Sequence, residues 1–394
     1  MSPDLSPKGS SVSEAAPIIW FADDWGRHPS SSQHLVRNLL GRRKIYWINT
    51  IGTRKPKLNL YTFKRGLEKL RHWGGSKSKP NLPANLSVID PRMWPWFSHA
   101  RDRWFNRKLL VRQLARLIAF MDEPPIVVTT VPVVADLVGR LLVKRWIYYC
   151  VDDFSTWPGL DGQALREMEA KLVANVHCVV SVSQMLGQRV KSLGKESELL
   201  THGVDLDFWR NEDSLIESAK QSYENLPRPL ITFWGVVDRR MDLDIVHALA
   251  DAELGTILLI GPHNDPDPAL TAMAGVVAPG PLPLEQLPGL ARLSSVLIMP
   301  YADLPVTRAM QPLKLKEYLA TGRPCVVRDL PANREWANCL DIAASPDAFV
   351  AAVKQRLSKG VPENQQQARQ RLNEESWDEK ARRFEQIIEG GGHE

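Results

Sequence analysis

"PIIWFADDWGRHPSSSQHLVRNLLGRRKIYWINT", residues 17–50, decides the fold class. Its apolar start, Pro17–Ala22, reads as a buried strand. A polar loop follows, then a helix from about Ser32 to Leu40, then a second strand over Lys44–Asn49. That is a β-loop-α-β unit of the parallel type. The same rhythm continues in "LSVI", "PPIVVTT", "WIYYCVDD" and "CVVSVS". Strands alternating with helices predict a doubly wound parallel sheet. The run 126–143, "IVVTTVPVVADLVGRLLV", is broken by Asp136 and Arg140, so it reads as strand, loop and amphipathic helix rather than a membrane span.

The rhythm stops at "LLTHGVDLDFW" (199–209) and a polar stretch, then restarts with "PLITFWG", "DLDIVHALAD", "GTILLIG", "SVLIMPY" and "CVVRD". The expected layout is therefore a polar, disordered N-terminus at 1–16 and an N-terminal Rossmann-like domain at 17–205, with a basic insertion at 52–112. A C-terminal Rossmann-like domain follows at 206–370. Residues 371–394 are expected to form a helix crossing back to the first domain. Two such α/β sheets facing each other would place a cleft at the carboxyl ends of their strands, where ligands of open sheets bind.

Length and composition agree with two globular domains: 394 residues, 44% hydrophobic and 24% charged. Four cysteines without metal spacing read as reduced core thiols of a cytosolic protein. The net charge of +5 hides an asymmetry. Residues 36–112 hold nineteen Lys/Arg against three acids, +16, which leaves −11 for the rest. With "MWPWF" at 93–97, this is the pattern of an anionic membrane surface as partner, or of a solvated basic face with its Trp in the core. Nucleic acid is not expected, because no recognition motif accompanies the charge.

"QPLKLKEYLATGRPCVV" (311–327) carries the strongest chemical signal. Pro312 suits a helix start, and the free N–H groups beside it favour a phosphate. Lys314 and Lys316 add charge, and Glu317 suits a ribose diol. Gly322 and Pro324 end the helix on a buried strand. The residues alone allow either a sugar-nucleotide diphosphate site or a capped amphipathic helix with solvated charges.

Set beside known families, the segment resembles the donor-binding stretch of the bacterial GT-B glycosyltransferases of the group 1, GT4-like superfamily, the exopolysaccharide, capsule and teichuronic-acid transferases. "FWGVVDRRMDLDIV" (233–246), "HGVDLDFW" (202–209) and "SWDEKARRFEQII" (376–388) resemble its further signatures. The resemblance implies a GT-B fold and a nucleotide-diphosphate sugar as donor substrate, with no cofactor and no metal. It implies a lipid-linked or growing polysaccharide acceptor and a cytoplasmic protein, peripheral on the inner membrane face. Residue by residue, Glu317 matches the ribose-binding carboxylate. Gln311, Pro312, Leu313 and Lys314 match the helix start that meets the diphosphate. Gly235 matches the close backbone approach, and Arg240, with Arg239 as rival, the diphosphate counter-charge. One departure stands out: Ala309 occupies the place of a glutamate common in retaining members, and the nearest upstream acid is Asp303. A nucleotide-sugar 2-epimerase of the same fold, and a non-catalytic donor-binding partner, are the alternative readings.

In the first domain, Asp152 and Asp153 follow an apolar strand and are the candidates for a general base. The competing reading is that one of them caps a helix or pairs with an arginine. Asp23, Asp24, His28 and Ser31 are acceptor-side candidates, with ordinary N-capping by the Ser run as the rival. His202 reads as a hinge residue. The three Asp-x-Asp triplets at 205–207, 242–244 and 265–267 read as structural.

Overall fold

Strand β1 (Ile18–Ala22) is buried at every position, as expected of a strand covered on both faces of a parallel sheet. The computed structural model describes residues 15–26, 30–50, 82–157, 159–211 and 223–391. His28 and residues 52–81 of the expected insertion lie outside them. The chain divides into two units. One takes the chain up to Val182, Gly187–Leu200 and Ala381 onward, and the other takes Ser183–Leu186 and Thr201–Lys380.

The first unit is a seven-stranded sheet. Its strands are β1, β2 (Ile45–Asn49), β3 (Leu86–Ile89), β4 (Ile126–Thr129), β5 (Arg145–Cys150), β6 (Cys178–Ser181) and β7 (Glu198–Leu199), in the spatial order β3-β2-β1-β4-β5-β6-β7. All neighbours are parallel, with β1 and β2 in register from Ile18 opposite Ile45 to Ala22 opposite Asn49. The order reverses between β1 and β4. Trp20 sits at the centre of this core, stacked on Trp47 at 6.3 Å, with Phe384 at 5.3 Å. Such aromatic pairs add about 0.5–1.5 kcal/mol each beyond their area.

Two sequence expectations change here. The helix expected within 130–143 is only a 3-10 turn, Pro132–Leu137. Val133, Val134, Ala135 and Leu137 are buried, and Gly139 at φ +73° ends the turn. β-branched valines and a left-handed glycine do not extend a helix. The basic stretch is also less of a free surface than its charge suggests. Arg43 is buried and reaches Glu385 at 2.6 Å and Glu389 at 2.7 Å, Arg42 reaches Glu385 at 3.2 Å, and Ala16 O accepts from Arg43 at 3.0 Å. Acids of the C-terminal helix Trp377–Glu389 thus neutralise the start of the basic region.

The second unit is a six-stranded sheet of order β12-β10-β8-β13-β14-β15. The strands are β8 (Leu230–Trp234), β10 (Thr256–Ile260), β12 (Val276–Gly280), β13 (Val296–Met299), β14 (Cys325–Arg328) and β15 (Asp341–Ala343). All of its pairs are parallel too. A parallel ribbon, β9 (Val237–Asp238) with β11 (His263–Asn264), extends from it. The edge strands β12 and β15 are the two that the apolar pattern does not announce. Both are only partly buried, and β12 contains Pro279, which an edge tolerates. Here the order reverses between β8 and β13, so the loops after these two strands flank the switch point of the sheet.

The three Asp-x-Asp triplets all cap helices. Asp205 accepts from Phe208 N, Asp242 from Ile245 N and Asp267 from Ala269 N.

Candidate functional site

The switch point of the second sheet gathers residues from three stretches. After β8 comes Gly235, at φ +143°, with its N–H donating to Ile260 O at 2.8 Å. A Cβ on Gly235 would stand 2.2 Å from Lys314 Nζ, and one on Gly261 would stand 1.8 Å from Gly235 O. Gly261 therefore requires glycine for φ and for space, because it meets backbone, and Gly235 requires it for φ, because the flexible end of Lys314 can move aside. After β13 comes Tyr301, fully buried. The third stretch is the helix Leu313–Ala320, whose N-cap is Pro312. Pro312 thus stands just before the first helical residue rather than within the first turn.

Lys314 and Glu317 are the charged groups this helix turns toward the strand ends. Lys314 Nζ bonds the Tyr301 hydroxyl and lies 4.9 Å from the Phe233 ring centroid and 5.0 Å from that of Tyr301. Glu317 Oε2 accepts from the Trp234 indole N–H at 3.3 Å. Trp234 itself is held between Trp209, stacked at 5.4 Å, and Tyr318, edge-on at 4.3 Å, and its backbone N–H donates to the Tyr318 hydroxyl at 2.9 Å. Burial pushes the Glu317 carboxyl up to about 7. The Trp234 bond and Lys314 pull the other way and only partly offset it. Oε1 takes no hydrogen bond among the described residues. The arrangement is a proton-retaining carboxyl on a rigid aromatic support, one oxygen fixed and one available, beside an ammonium and a backbone stretch that a ligand can approach closely.

Arg239 and Arg240, rivals by sequence, separate in space. Arg240 is buried, bonds Asp238 through its N–H at 3.0 Å and its guanidinium at 2.8 and 2.9 Å, and lies 5.6 Å from the Tyr301 ring. Arg239 is exposed and faces Asp265 and Asp267 at 3.7 and 3.4 Å. Gln311 is buried just before Pro312.

Lys316 differs from its sequence reading. It is 2% exposed and pairs with Glu375, with the carbonyl of His202 and the Thr201 hydroxyl as further partners. Burial pulls it down to about 8, against the pull of Glu375. It is an internal tie and not a phosphate charge. The same corner holds Gly203, whose Cβ would meet the Trp377 ring at 2.8 Å, and Val204, whose N–H donates to Glu375 O at 2.8 Å. His202 is buried beside Trp377.

Ala309 is buried, and its carbonyl accepts from Ser183 Oγ at 3.1 Å. Asp303 does not stand in for the missing glutamate. Both its oxygens bind Arg308, at 2.5 and 2.7 Å, and that bonding lowers its pKa.

In the first unit, Asp153 accepts from Ser155 N at 3.0 Å and Ser155 Oγ at 2.6 Å, and pairs with Arg189 at 2.6 Å. The same arginine binds Glu169, which accepts from the Tyr148 hydroxyl at 2.8 Å. Asp153 therefore both caps and pairs, and Asp152 beside it is half-buried. Ser30 is the N-cap of the helix Ser31–Leu39, accepting from Gln33 N at 3.3 Å. Ser31 is buried against the Tyr149 hydroxyl. Asp23 is exposed, with its carbonyl accepting from the Trp47 indole at 2.9 Å, and Asp24 is half-buried. Asp23 and Asp24 follow β1, and Asp152 and Asp153 follow β5.

Sequence reasoning missed Trp234, Tyr301 and Tyr318. Each stood in a motif already quoted, "FWG", "MPY" and "KEYLA". For Trp234, the last residue of β8, an aromatic at the end of a strand at the switch point was the signal available.

The fold is of the GT-B type, two Rossmann-like parallel-sheet units in one chain. Among solved structures, sucrose-phosphate synthase from Thermosynechococcus elongatus is similar over 95% of this chain and 98% of its own, with TM-score 0.70 and 14% identity. Anabaena HepE, in complex with UDP-glucose, is similar over 95% and 100%, with TM-score 0.68 and 11% identity. The trehalose-phosphate synthase of Burkholderia xenovorans matches over 95% and 100%, with TM-score 0.67 and 13% identity. In sequence, the chain is 24% identical over 224 residues to a Bacillus subtilis (strain 168) protein provisionally named teichuronic acid biosynthesis glycosyltransferase TuaH. That match takes in 53% of this chain and 56%, about half, of the relative. No family model matches.

Proposed function

We propose that the chain is a glycosyltransferase that moves a sugar from a nucleotide-diphosphate sugar to a hydroxyl acceptor. The observation that supports this most is the placement of Glu317, Lys314 and Gly235 together at the β8/β13 switch point. In this reading Glu317 Oε1 accepts from the ribose diol. Lys314, Arg240 and the N–H groups at the start of the Leu313–Ala320 helix meet the diphosphate. They stabilise its charge as it leaves, without a metal and without a cofactor. Gly235 lets the backbone approach the donor, and Gln311, Pro312 and Leu313 border the diphosphate. Asp152, at the carboxyl end of β5 beside Asp153, is the general base for the acceptor hydroxyl. The acceptor is lipid-linked or a growing cell-surface polysaccharide, and the protein works in the cytoplasm at the inner membrane face, through its basic region 36–112. Relatives named for UDP complexes and for teichuronic acid synthesis support this reading, as does the basic charge. No helix among the described residues is long and apolar enough to cross a membrane.

The test is calorimetric titration with a panel of nucleoside diphosphates and their sugars. One nucleotide should bind, and Glu317→Ala should weaken it about 10- to 100-fold, the loss of one or two charged hydrogen bonds, with the fold retained. Equal affinity in the variant would remove the site. The buried methyl of Ala309, with Asp303 held by Arg308, favours a second reading, a donor-binding protein without turnover. Nucleotide binding with neither transfer nor donor hydrolysis would support it.

A further inference from the structure

The helix Ala100–Ile118 packs through one narrow stripe. Asp102, Asn106, Leu110, Leu114 and Ile118 are its buried residues, at i, i+4 spacing. An ordinary surface helix would be polar elsewhere. This one is not. Trp104, Phe105 and Leu109 are 41, 50 and 41% exposed, and in the preceding loop Trp94 and Trp96 are 43 and 39% exposed. Four of the five form a connected patch. Trp94 lies 4.9 Å from Trp96 and 6.3 Å from Phe105, and Phe105 lies 5.0 Å from Trp104.

The loop is held in place. Buried Asn106 bonds the backbone of Trp94 at 2.6 and 3.0 Å and the Trp96 carbonyl at 3.0 Å, and Gln113 bonds both backbone groups of Arg92 at 2.8 and 2.9 Å. Beyond the patch, Phe97 is buried and Ser98 Oγ bonds Asp161 at 2.6 Å. The indoles are thus presented by built contacts on both sides of the loop.

Cations are interleaved with the rings. Arg101, Arg103, Arg107, Lys108, Arg112 and Arg116 lie on the helix, against one acid, Asp102, which is buried and accepts from the Trp94 indole at 3.1 Å. Lys108 Nζ lies 3.9 Å from the Trp104 ring centroid. Among the described residues, the outer face of this helix carries no exposed acid of its own.

We propose that the Met93–Phe97 loop and the outer face of this helix form a docking surface for an anionic lipid bilayer. This deepens the membrane part of the reading above and is independent of the donor site. Interfacial tryptophans with a leucine and a phenylalanine suit the boundary between headgroups and acyl chains, and the surrounding Arg and Lys suit acidic headgroups. The rings pack on one another tilted or edge-on rather than as parallel platforms for stacked bases.

The test is co-sedimentation of the full chain with vesicles of phosphatidylglycerol and phosphatidylcholine mixed about one to two, and with phosphatidylcholine alone. Binding is expected only to the anionic vesicles, weakening with salt. The triple variant Arg101→Gln, Lys108→Gln, Arg112→Gln should lower the partition roughly 100-fold, about fivefold per charge. Trp104→Ala with Phe105→Ala should lower it at least about tenfold. All these residues are exposed, so nucleotide affinity and melting should not change. Absence of vesicle binding, binding unaffected by the Trp104/Phe105 change, or retention by heparin alone would overturn the lipid assignment. Because nucleotide binding is read separately, that failure leaves the donor site standing, and loss of nucleotide binding leaves the docking surface standing.

Discussion

Two carboxylate clusters stand in the two units, and they are handled in opposite ways. In the first, Glu169 and Asp153 share the Arg189 guanidinium, and they accept further bonds from Tyr148, Cys150 and Ser155. Burial lowers the Arg189 pKa, but Glu169 and Asp153 outweigh it and hold it above its ordinary value. In the second, Glu317 has an indole N–H and, among the described residues, no ion pair, and burial pushes it up to about 7. A buried carboxylate given its own guanidinium serves the fold. One given a single neutral donor, with its other oxygen left over, is poised for a ligand.

The largest effect should come from breaking the matched cluster. Arg189→Met leaves two carboxylates with no counter-charge and should cost about 3–5 kcal/mol in urea unfolding, with nucleotide affinity of the folded protein unchanged. A loss of affinity without a loss of stability would invert the comparison. Gly235→Ala comes next. It combines strain at φ +143° with a clash against Lys314, so about 1–3 kcal/mol of stability and the nucleotide binding measured by calorimetry should both be lost.

The unmatched cluster should show itself through pH. The folded pKa of Glu317, about 7, lies above its ordinary 4.5. The native chain therefore binds more protons than the unfolded chain between those values. The stability this group contributes is full below 4.5, falls as pH rises, and levels off above 7. The whole shift corresponds to about 3 kcal/mol. Glu317 is half-buried rather than sealed, so screening reduces this to about 1–2 kcal/mol. Glu317→Gln should flatten that slope in urea titrations at pH 5 and pH 8. Ribose hydroxyls donate to the ionised form, so nucleotide affinity should weaken by up to about tenfold per unit below pH 7. Binding at pH 6 should release a proton, read as a buffer-dependent calorimetric enthalpy. The smallest effect is expected for Asp303→Asn. An exposed pair with Arg308 contributes little, and neither melting nor nucleotide affinity should move measurably.

Much of this was legible in the sequence where apolar pattern and glycine placement decide the outcome. β1, β2, β8, β10 and β13 are uniform apolar runs, and buried parallel strands read that way. β12 and β15 were not legible, because edge strands are only half covered. The positions of Glu317 in its helix and of Gly235 at the end of β8 were legible because helix pattern and a strand-ending glycine fix them locally. The difference between Lys314 and Lys316 was not. Two residues along a helix point in different directions, and what meets Lys316 is Glu375, far along the chain. Asp153 was ambiguous for the same reason: Arg189, 36 residues on, claims its second oxygen.

The tie at Lys316 has a practical consequence for dissecting the chain. A stop codon placed after residue 370 would keep every strand of the second sheet. It would also remove Glu375 from Lys316 and Trp377 from Gly203, stranding an ammonium in the interior and opening a gap beneath the very helix that carries Glu317. The short segment 375–380 is in effect the back wall of that helix's socket, supplied only after every strand of the sheet has been made. Nascent chains halted upstream of it should accordingly be captured by proteases, and chains extended through residue 391 should not.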